Sequence, residues 1–326
     1  MNKIDEIKSC IGLELTTYQD LLTKTLHTRV PLADSVIRYF LERKGKGVRP
    51  IVTLLAAKML AGDVTQKTYD AAVALELLHS ATLMHDDVVD ESMQRRGDAT
   101  INRVWDNKVA VLMGDFFLAK SLLRINATNS FAISGILVEM VTRLSEGELA
   151  QLANMRTHVT GEAAYFEVIA DKTASLFSAC MKIGAYSVNA SEDVVERMGL
   201  IGEKMGLVFQ IRDDIFDYLP SSEMGKPAGH DIQEGKITLP LLYALQQAPD
   251  VEVQRIKSLI ENAEGMTSEE IAEVVNFAVS RGGIDYAVAK MKNIAHECRS
   301  LLASFPQSEA GKALNSLIDY FVERNK

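Results

Sequence analysis

The placement of proline is the feature that most constrains the fold. The chain has seven prolines, yet none lies between Pro50 and Pro220. Proline breaks helices, whereas the Ala, Leu, Met, Glu and Lys that are common in this segment favour them. Apolar residues recur there at helical spacing in Ala71–Val89, Val109–Leu123, Ile133–Leu152, Ala163–Val188 and Val194–Tyr218. The sequence therefore predicts an all-α protein.

The C-terminal third continues the helical pattern with polar faces. Helices are predicted over Val251–Ala263, Ser268–Ser280 and Asp285–Ser304. Thr267 and Glu270 have capping-box spacing at the start of the second of these. Breaks are predicted at Gly97–Asn102, Asn126–Ser130, His158–Gly161 and Pro220–Gly235. No alternating strand pattern or low-complexity linker marks a boundary, so we predict ten or more helices in a single domain, residues 1–326.

Composition narrows the classes of function. A net charge of −9 argues against a nucleic-acid partner, because binding to phosphate backbones needs a basic face. The three cysteines are far apart and form no CxxC pair, which favours a reducing compartment and argues against a thiolate zinc site. No stretch is apolar enough for a transmembrane helix, and the N-terminus lacks a secretory apolar region. We therefore expect a cytoplasmic protein.

Two acid clusters share the pattern Asp-Asp-x-x-Asp, namely Asp86, Asp87 and Asp90, and Asp213, Asp214 and Asp217. The first and last aspartate of each cluster share a helix face. Such carboxylates repel one another unless cations compensate them, and Mg²⁺ favours oxygen ligands together with water and phosphates. One copy alone is more often a solvated face. Two copies in apolar stretches predict one site whose clusters hold a metal-bound diphosphate from both sides.

Basic residues accompany these clusters, namely Lys46, Arg49, Arg95, Arg96, Lys172, Lys226 and Lys236. Each alone is more often a surface charge, but their closeness to the acid clusters and glycine-rich loops favours phosphate contacts. His79, two turns before Asp86, is by itself more often a packed histidine. Glu76 and His79 have the spacing of di-iron ligands, but no second copy occurs. A P-loop and a Ser-His-Asp arrangement are also missing from the sequence.

At this point the motifs resemble those of the trans-isoprenyl diphosphate synthases (polyprenyl synthetases), most of all the long-chain heptaprenyl and octaprenyl types. The resemblance runs from about Lys46 to Pro240 and rests on "GKGVRP", "LLHSATLMHDDVVDESMQRRG", "GDFFLAKS", "DKTASLF", "FQIRDDIFDY" and "GKPAGHDIQEGKITLP". It implies an all-α bundle around a deep central apolar cavity, a homodimer, and about three Mg²⁺ ions per site.

The resemblance also implies roles for individual residues. Metal ligands are implied at Asp86, Asp90, Asp213 and Asp217, and catalytic roles at Asp86, Asp87, Asp90, Lys172, Asp213, Asp214 and Lys226. Contacts with the allylic diphosphate are implied for Arg95, Lys172, Thr173, Gln210, Lys226 and Lys236. Contacts with isopentenyl diphosphate are implied for Lys46, Arg49, His79 and Arg96. One position departs from the family, because Gly47 stands where an arginine is common.

The implied reaction is a head-to-tail condensation, and its product length should depend on the depth of the cavity. Thr82 and Ala81 lie four and five residues before Asp86, where short-chain members of the family commonly carry an aromatic residue. Both are small here, which favours a product beyond C20, C30 to C50, as in a quinone side chain. The less favoured alternative is that Ala81 is an ordinary packed helix residue. Candidates for closing the tunnel are Phe116, Phe117 and the stretch Ile133–Met140.

Several alternatives stay open at this stage. One is a synthase of shorter C15 to C20 products. A class I terpene cyclase shares the bundle, but its second metal motif differs and it needs no isopentenyl pocket. A regulatory subunit of a heteromeric synthase tends to lack the acid motifs, and a lipid carrier would leave both acid clusters without a role.

Overall fold

Helices make up nearly all the regular structure of the computed structural model, which describes residues 3–43, 45–95, 97–157, 161–219 and 229–324. In chain order they are α1 Lys3–Ser9, α2 Gly12–Thr25, α3 Pro31–Glu42, α4 Val48–Ala61, α5 Gln66–Val89, α6 Ile101–Val104, α7 Asn107–Ala127, α8 Phe131–Thr157, α9 Glu162–Ile169, α10 Ser175–Ser187, α11 Glu192–Phe216, α12 His230–Gln233, α13 Leu239–Gln246, α14 Asp250–Ile260, α15 Ser268–Ser280, α16 Gly283–Leu302 and α17 Glu309–Glu323. The predictions of an all-α fold and of ten or more helices are confirmed.

Helix starts follow the capping signals of the sequence. The Thr65 hydroxyl accepts a hydrogen bond from the backbone N–H of Thr68 at the start of α5. At the start of α15, Thr267 accepts from the N–H of Glu270, whose carboxylate accepts from the N–H of Thr267 at 2.8 Å. The predicted capping box is therefore confirmed.

One short hairpin interrupts the helices. Strand β1, Gln94–Arg95, pairs antiparallel with β2, Asp98–Ala99, and Gly97 has a φ of 87°. Two residues per strand are too few to show an alternating pattern, so neither strand was predicted from the sequence.

The chain divides into two compact units. The first contains residues 1–138, 179–199 and 306–314, and the second contains 139–178, 200–305 and 315–326. The prediction of a single domain over residues 1–326 stays a prediction. No helix among the described ranges is long and apolar enough to cross a membrane.

In the first unit, α5 packs along α7, and α2 and α4 also contact α5. Ser121 of α7 donates a hydrogen bond to the carbonyl of Ala74 at 2.8 Å, and Arg124 pairs with the buried Asp70 at 2.9 Å. A Cβ atom at Gly114 would lie 2.2 Å from the His85 ring, so glycine permits this close approach. Helix α5 is thereby held against α7 at both its N-terminal and its C-terminal halves.

In the second unit, α13 packs on α15 and α16. Their buried contact includes Leu241, Ala244, Val274 and Phe277. Gly283 allows α16 to begin close to α13, because a Cβ there would lie 2.2 Å from the carbonyl oxygen of Pro240.

The predicted helix Ala163–Val188 is not continuous. A π-helical turn, Ala170–Ala174, separates α9 from α10. A Cβ at Gly147 of α8 would lie 2.7 Å from the backbone nitrogen of Lys172, so α8 passes very close to this turn. The π-turn escaped prediction because one extra residue in a turn changes the register of a helix but not its composition.

Candidate active site

The first acid cluster lies at the C-terminal end of α5. Asp86 is half-buried, Asp87 is 8% exposed, and Asp90 is an exposed residue that caps the helix. Successive helical residues point about 100° apart, so the middle carboxylate turns inward while the outer two share the accessible face. Asp86 and Asp90 therefore stay accessible, whereas Asp87 is turned into the protein.

Asp87 holds Arg95. The Arg95 Nε and a terminal guanidinium nitrogen lie 2.9 and 2.8 Å from the same Asp87 oxygen. Asn102 supports the arrangement by donating to the carbonyls of Asp87 and Ser92, both at 3.1 Å. Asp87 therefore orients a basic residue that the sequence analysis assigned to the allylic diphosphate.

The residues assigned to isopentenyl diphosphate lie on α4 and α5. Lys46 is exposed before α4, while Arg49 and His79 are half-buried on α4 and α5. Gly47 caps α4 with φ 66° and ψ 39°, in the left-handed region that favours glycine. The departure at Gly47 therefore has a conformational reason. Arg96, assigned to the same pocket, lies outside the described residues.

The second acid cluster lies at the end of α11. Asp217 follows the last turn, and its two carboxylate oxygens accept hydrogen bonds from the backbone N–H groups of His230 and Asp231, at 2.8 and 3.1 Å. It thereby caps α12. Burial, and then the nearby charge of Asp231, raises the pKa of Asp217 to about 7.

Asp214, the middle aspartate of this cluster, is 3% exposed. It accepts hydrogen bonds from the Tyr165 hydroxyl at 2.6 Å and from the Gln210 amide at 2.8 Å. Burial, with a smaller contribution from Asp231, raises the pKa of Asp214. Burial also raises the pKa of Asp231.

Asp213 is 40% exposed and pairs with Arg324 at 2.5 Å. The Arg324 guanidinium also donates to the carbonyl of Phe209 at 3.0 Å, and Arg212 donates to the Arg324 carbonyl at 2.8 and 2.9 Å. The end of α17 is therefore anchored on the helix that carries the second acid cluster.

A cavity of about 530 Å³ lies within the second unit. Its polar wall contains Lys172, Thr173, Gln210, Asp214, Asp231, Glu234 and Lys236, and its apolar wall includes Val168, Ile169, Leu242 and Ile260. Five of these residues, Lys172, Thr173, Gln210, Asp214 and Lys236, were predicted as site residues, and the structure brings them together. Lys226 lies outside the described residues.

The two lysines of this wall lie among carboxylates. Lys172, on the π-turn, pairs with Glu148 at 2.6 Å. Lys236 pairs with Glu234 and lies 3.9 Å from Asp231. A wall of mixed charge can bind an anion through its lysines and a cation through its carboxylates.

The acid residues fit Mg²⁺ as ligands. Burial raises the pKa values of Asp214, Asp217 and Asp231, so additional positive charge would stabilise their ionised forms. Within the described part of the chain, no three His, Cys, Asp or Glu side chains form a ready-made metal cluster. Mg²⁺ is usually held by one or two carboxylates together with water and substrate phosphates.

Comparison with known proteins decides the family. The family model for polyprenyl synthetases matches residues 30–278. The chain belongs to the polyprenyl synthetase family. It is accordingly a prenyltransferase. The resemblance found in the sequence is confirmed.

Relatives of this polyprenyl synthetase match along nearly its whole length. The octaprenyl diphosphate synthase of Haemophilus influenzae is 34% identical and covers 99% of this chain and 97% of its own. A polyprenyl synthase of Caulobacter crescentus, complexed with calcium and isoprenyl diphosphate, is 31% identical with a TM-score of 0.92, over 99% of this chain and 98% of that one. A geranylgeranyl pyrophosphate synthase of Bacteroides thetaiotaomicron is 40% identical with a TM-score of 0.86, over 99% and 100%.

Sequence reasoning missed three residues of this polyprenyl synthetase that contact the acid cluster on α11 or line its cavity. Asp231 and Glu234 lie in the "GHDIQEGK" segment, in which Lys236 was predicted as a site residue. Their acidic side chains, five and eight residues after Lys226, were the available signal. Tyr165 gave none, because an isolated tyrosine in an apolar helix is usually a core residue.

The predicted chain-length residues lie on the buried side of α5. Ala81 is 2% exposed, and the half-buried Thr82 donates its hydroxyl to the carbonyl of His79 at 2.9 Å. Helix α7 packs along α5, and its Phe117 is fully buried with its ring edge-on to Phe40. The small side chains of Ala81 and Thr82 therefore lie on α5, which packs along α7, and their role in chain length stays a prediction.

Proposed function

We propose that this chain condenses isopentenyl diphosphate with an allylic diphosphate, geranyl or farnesyl, to make a long all-trans polyprenyl diphosphate of C30 to C50. The observation that carries the proposal is the mixed-charge wall of the cavity, where Lys172, Gln210 and Lys236 accompany Asp214 and Asp231. The octaprenyl relative supports a long product, and a quinone side chain is a fitting use for it.

In this reaction Lys172 and Lys236 neutralise the allylic diphosphate as its C–O bond breaks. Arg95, held by Asp87, adds a further contact to the same group. Lys46, Arg49 and His79 hold isopentenyl diphosphate, whose alkene attacks the allylic cation. A new C–C bond forms and a proton is lost, for which the released diphosphate is an available acceptor. The apolar wall excludes water from the cation.

Mg²⁺, when bound, supplies the positive charge that offsets the charge developing on the leaving diphosphate. We assign its ligands to Asp86, Asp90, Asp213 and Asp217, with about three ions per site. The caps that Asp217 makes leave room for this role, because a carboxylate has about four lone-pair sites. The Caulobacter relative, complexed with calcium and isoprenyl diphosphate, supports a divalent cation.

The deciding experiment is a product assay on the purified chain. The protein is incubated with Mg²⁺, labelled isopentenyl diphosphate and dimethylallyl, geranyl or farnesyl diphosphate in turn, and the dephosphorylated products are sized by chromatography. A ladder ending beyond C20 supports a long-chain synthase. No incorporation with any primer would contradict an independent enzyme and favour the regulatory-subunit alternative.

A shorter C20 product is the second candidate. The relative that favours it is the 40% identical geranylgeranyl pyrophosphate synthase of Bacteroides thetaiotaomicron. The same assay separates the two, since a ladder that stops at C20 would keep the chemistry and overturn the long-chain assignment.

Ala81→Phe tests the chain-length wall. The phenyl ring would fill space next to the site, so we expect products to shorten to C15 or C20 while the first condensation continues. Overpacking a buried position costs about 1–3 kcal/mol, so thermal unfolding is measured alongside product length. Ala81→Ser, which stays small, is the matched control and should keep the full ladder. A folded Ala81→Phe variant with unchanged products would show that this wall does not set length.

We also propose that the chain forms a homodimer through an apolar face of α7. Leu112, Phe116, Ala119 and Leu123 recur at helical spacing, and Leu112 and Leu123 are 66% and 61% exposed. Exposed apolar patches on a folded unit mark association surfaces, and a two-fold axis lets one patch pair with itself.

Replacing both Leu112 and Leu123 with glutamate should therefore convert the dimer to a monomer, measured by size-exclusion chromatography with light scattering. Val251→Glu, at an apolar residue 79% exposed at the start of α14, is the matched control and should leave the dimer intact. A wild-type monomer, or a dimer that survives both charges, would contradict the assignment.

We place the protein in the cytoplasm. Cys10, Cys180 and Cys298 are free thiols, and the last two are buried. Burial raises the pKa of both buried thiols to about 12, which keeps them protonated. Free thiols in place of disulfides are typical of a reducing compartment.

A further inference from the structure

Tyr165 ends a chain of hydrogen bonds that reaches the wall of the cavity. The Thr173 hydroxyl donates to the Gln210 amide oxygen at 2.7 Å, and the Gln210 amide nitrogen donates to Asp214 at 2.8 Å. The second oxygen of Asp214 accepts from the Tyr165 hydroxyl at 2.6 Å. Three elements, α9, the π-turn and α11, are joined by these four side chains.

The direction of this chain follows from the Gln210 side chain, whose amide nitrogen donates to Asp214 at 2.8 Å and whose amide oxygen accepts from the Thr173 hydroxyl at 2.7 Å. Thr173 then donates its proton to Gln210. Its oxygen lone pairs are left for the cavity that Thr173 lines. Thr173 therefore presents an acceptor rather than a donor to the cavity, which does not fit the diphosphate contact that the resemblance implied for it.

Tyr165 is suited to fix that direction. It is 8% exposed, and burial raises its pKa well above the ordinary value, so the hydroxyl keeps its proton and stays a donor. Without it, one oxygen of a buried carboxylate would lose its donor, which is costly in a low-dielectric surrounding. Asp214 would then be released to rotate, and with it the amide of Gln210.

We propose that Tyr165 is a positioning residue for the prenyl transfer, which acts through Asp214 and Gln210 to hold the Thr173 oxygen towards the cavity. The inference rests on the proposed function, because it concerns the rate of that reaction. It adds Tyr165 of α9, which lines the cavity beside Asp214, to the set that controls the chemistry.

The first test is Tyr165→Phe, which removes one oxygen and keeps the ring. We expect kcat to fall about 10- to 100-fold, the range of a mispositioned site, with the KM for isopentenyl diphosphate within about twofold of wild type. Binding of inorganic diphosphate with Mg²⁺ should also be retained, since the lysines are untouched. Tyr286→Phe is the matched control, because the Tyr286 hydroxyl donates to Glu162 at the same 2.6 Å but does not line the cavity. It should keep wild-type kcat.

The second test is a double-mutant cycle with Asp214→Asn. If Tyr165 acts through Asp214, adding Tyr165→Phe to Asp214→Asn should change kcat less than about twofold. All four proteins of the cycle must fold, which circular dichroism and thermal unfolding establish. Wild-type kcat in a folded Tyr165→Phe, or independent effects in the cycle, would overturn the inference. An inactive wild-type protein would instead refute the proposed function.

Discussion

Replacing Asp86 with alanine is expected to lower turnover by about 10³-fold or more, because the variant loses a proposed ligand of the Mg²⁺ that stabilises the leaving diphosphate. A 10³-fold loss corresponds to about 4 kcal/mol of transition-state stabilisation. One metal contact can supply stabilisation of this size. Turnover is measured as a steady-state rate with saturating primer and isopentenyl diphosphate.

The free energy of unfolding of Asp86→Ala should hardly change, so a loss of turnover can be told apart from a loss of folding. Asp86 is half-buried in the last turn of α5, at the negative end of the helix dipole. An acidic side chain is unfavourable there by about 0.3–1 kcal/mol, so alanine is neutral or mildly stabilising. Asp20→Ala, an exposed aspartate on α2, is the matched control and should keep full turnover. Turnover within tenfold of wild type in Asp86→Ala would remove Asp86 from the ligand set.

Local signals allowed much of the fold to be predicted. The helices α5 and α7 cover the stretches predicted from apolar spacing, and α11 covers all but the last two residues of its predicted stretch. Thr267 with Glu270 forms the predicted capping box. These features depend on residues close in sequence. Spacing and capping therefore express them directly.

The inward turn of the middle aspartates could only partly be predicted. Helical spacing pairs Asp86 with Asp90 and leaves Asp87 on another face. It does not reveal that Asp87 holds Arg95 or that Asp214 meets Tyr165 at 2.6 Å. Those contacts depend on how the hairpin and α9 pack, which no local pattern expresses.

Contacts between distant residues were beyond sequence reasoning. Arg324 lies 111 residues from Asp213 along the chain, in a C-terminal third to which no motif was assigned. The π-turn at Ala170–Ala174 was hidden for a different reason, since its apolar pattern reads as continuous helix. Gly47 was noticed as a departure, but its left-handed φ of 66° became visible only in three dimensions.

Chelation of Mg²⁺ is expected to abolish turnover, and excess Mg²⁺ over EDTA should restore it. The structure gives the physical reason in the second unit. Burial raises the pKa values of Asp214, Asp217 and Asp231, so the positive charge of a bound cation would stabilise their ionised forms.

Binding can be followed without catalysis. Inorganic diphosphate with Mg²⁺ should raise the thermal midpoint of the wild type, whereas either alone should have a smaller effect. At a concentration 100 times the dissociation constant, the gain is about 2.7 kcal/mol, an upward shift of several degrees. Asp213→Asn should reduce this shift, because the amide removes the proposed ligand charge. Asp213→Asn also removes the ion pair between Asp213 and Arg324, so the thermal midpoint of the ligand-free variant serves as its baseline. Full turnover in excess EDTA, or an equal shift with EDTA present, would refute the metal requirement.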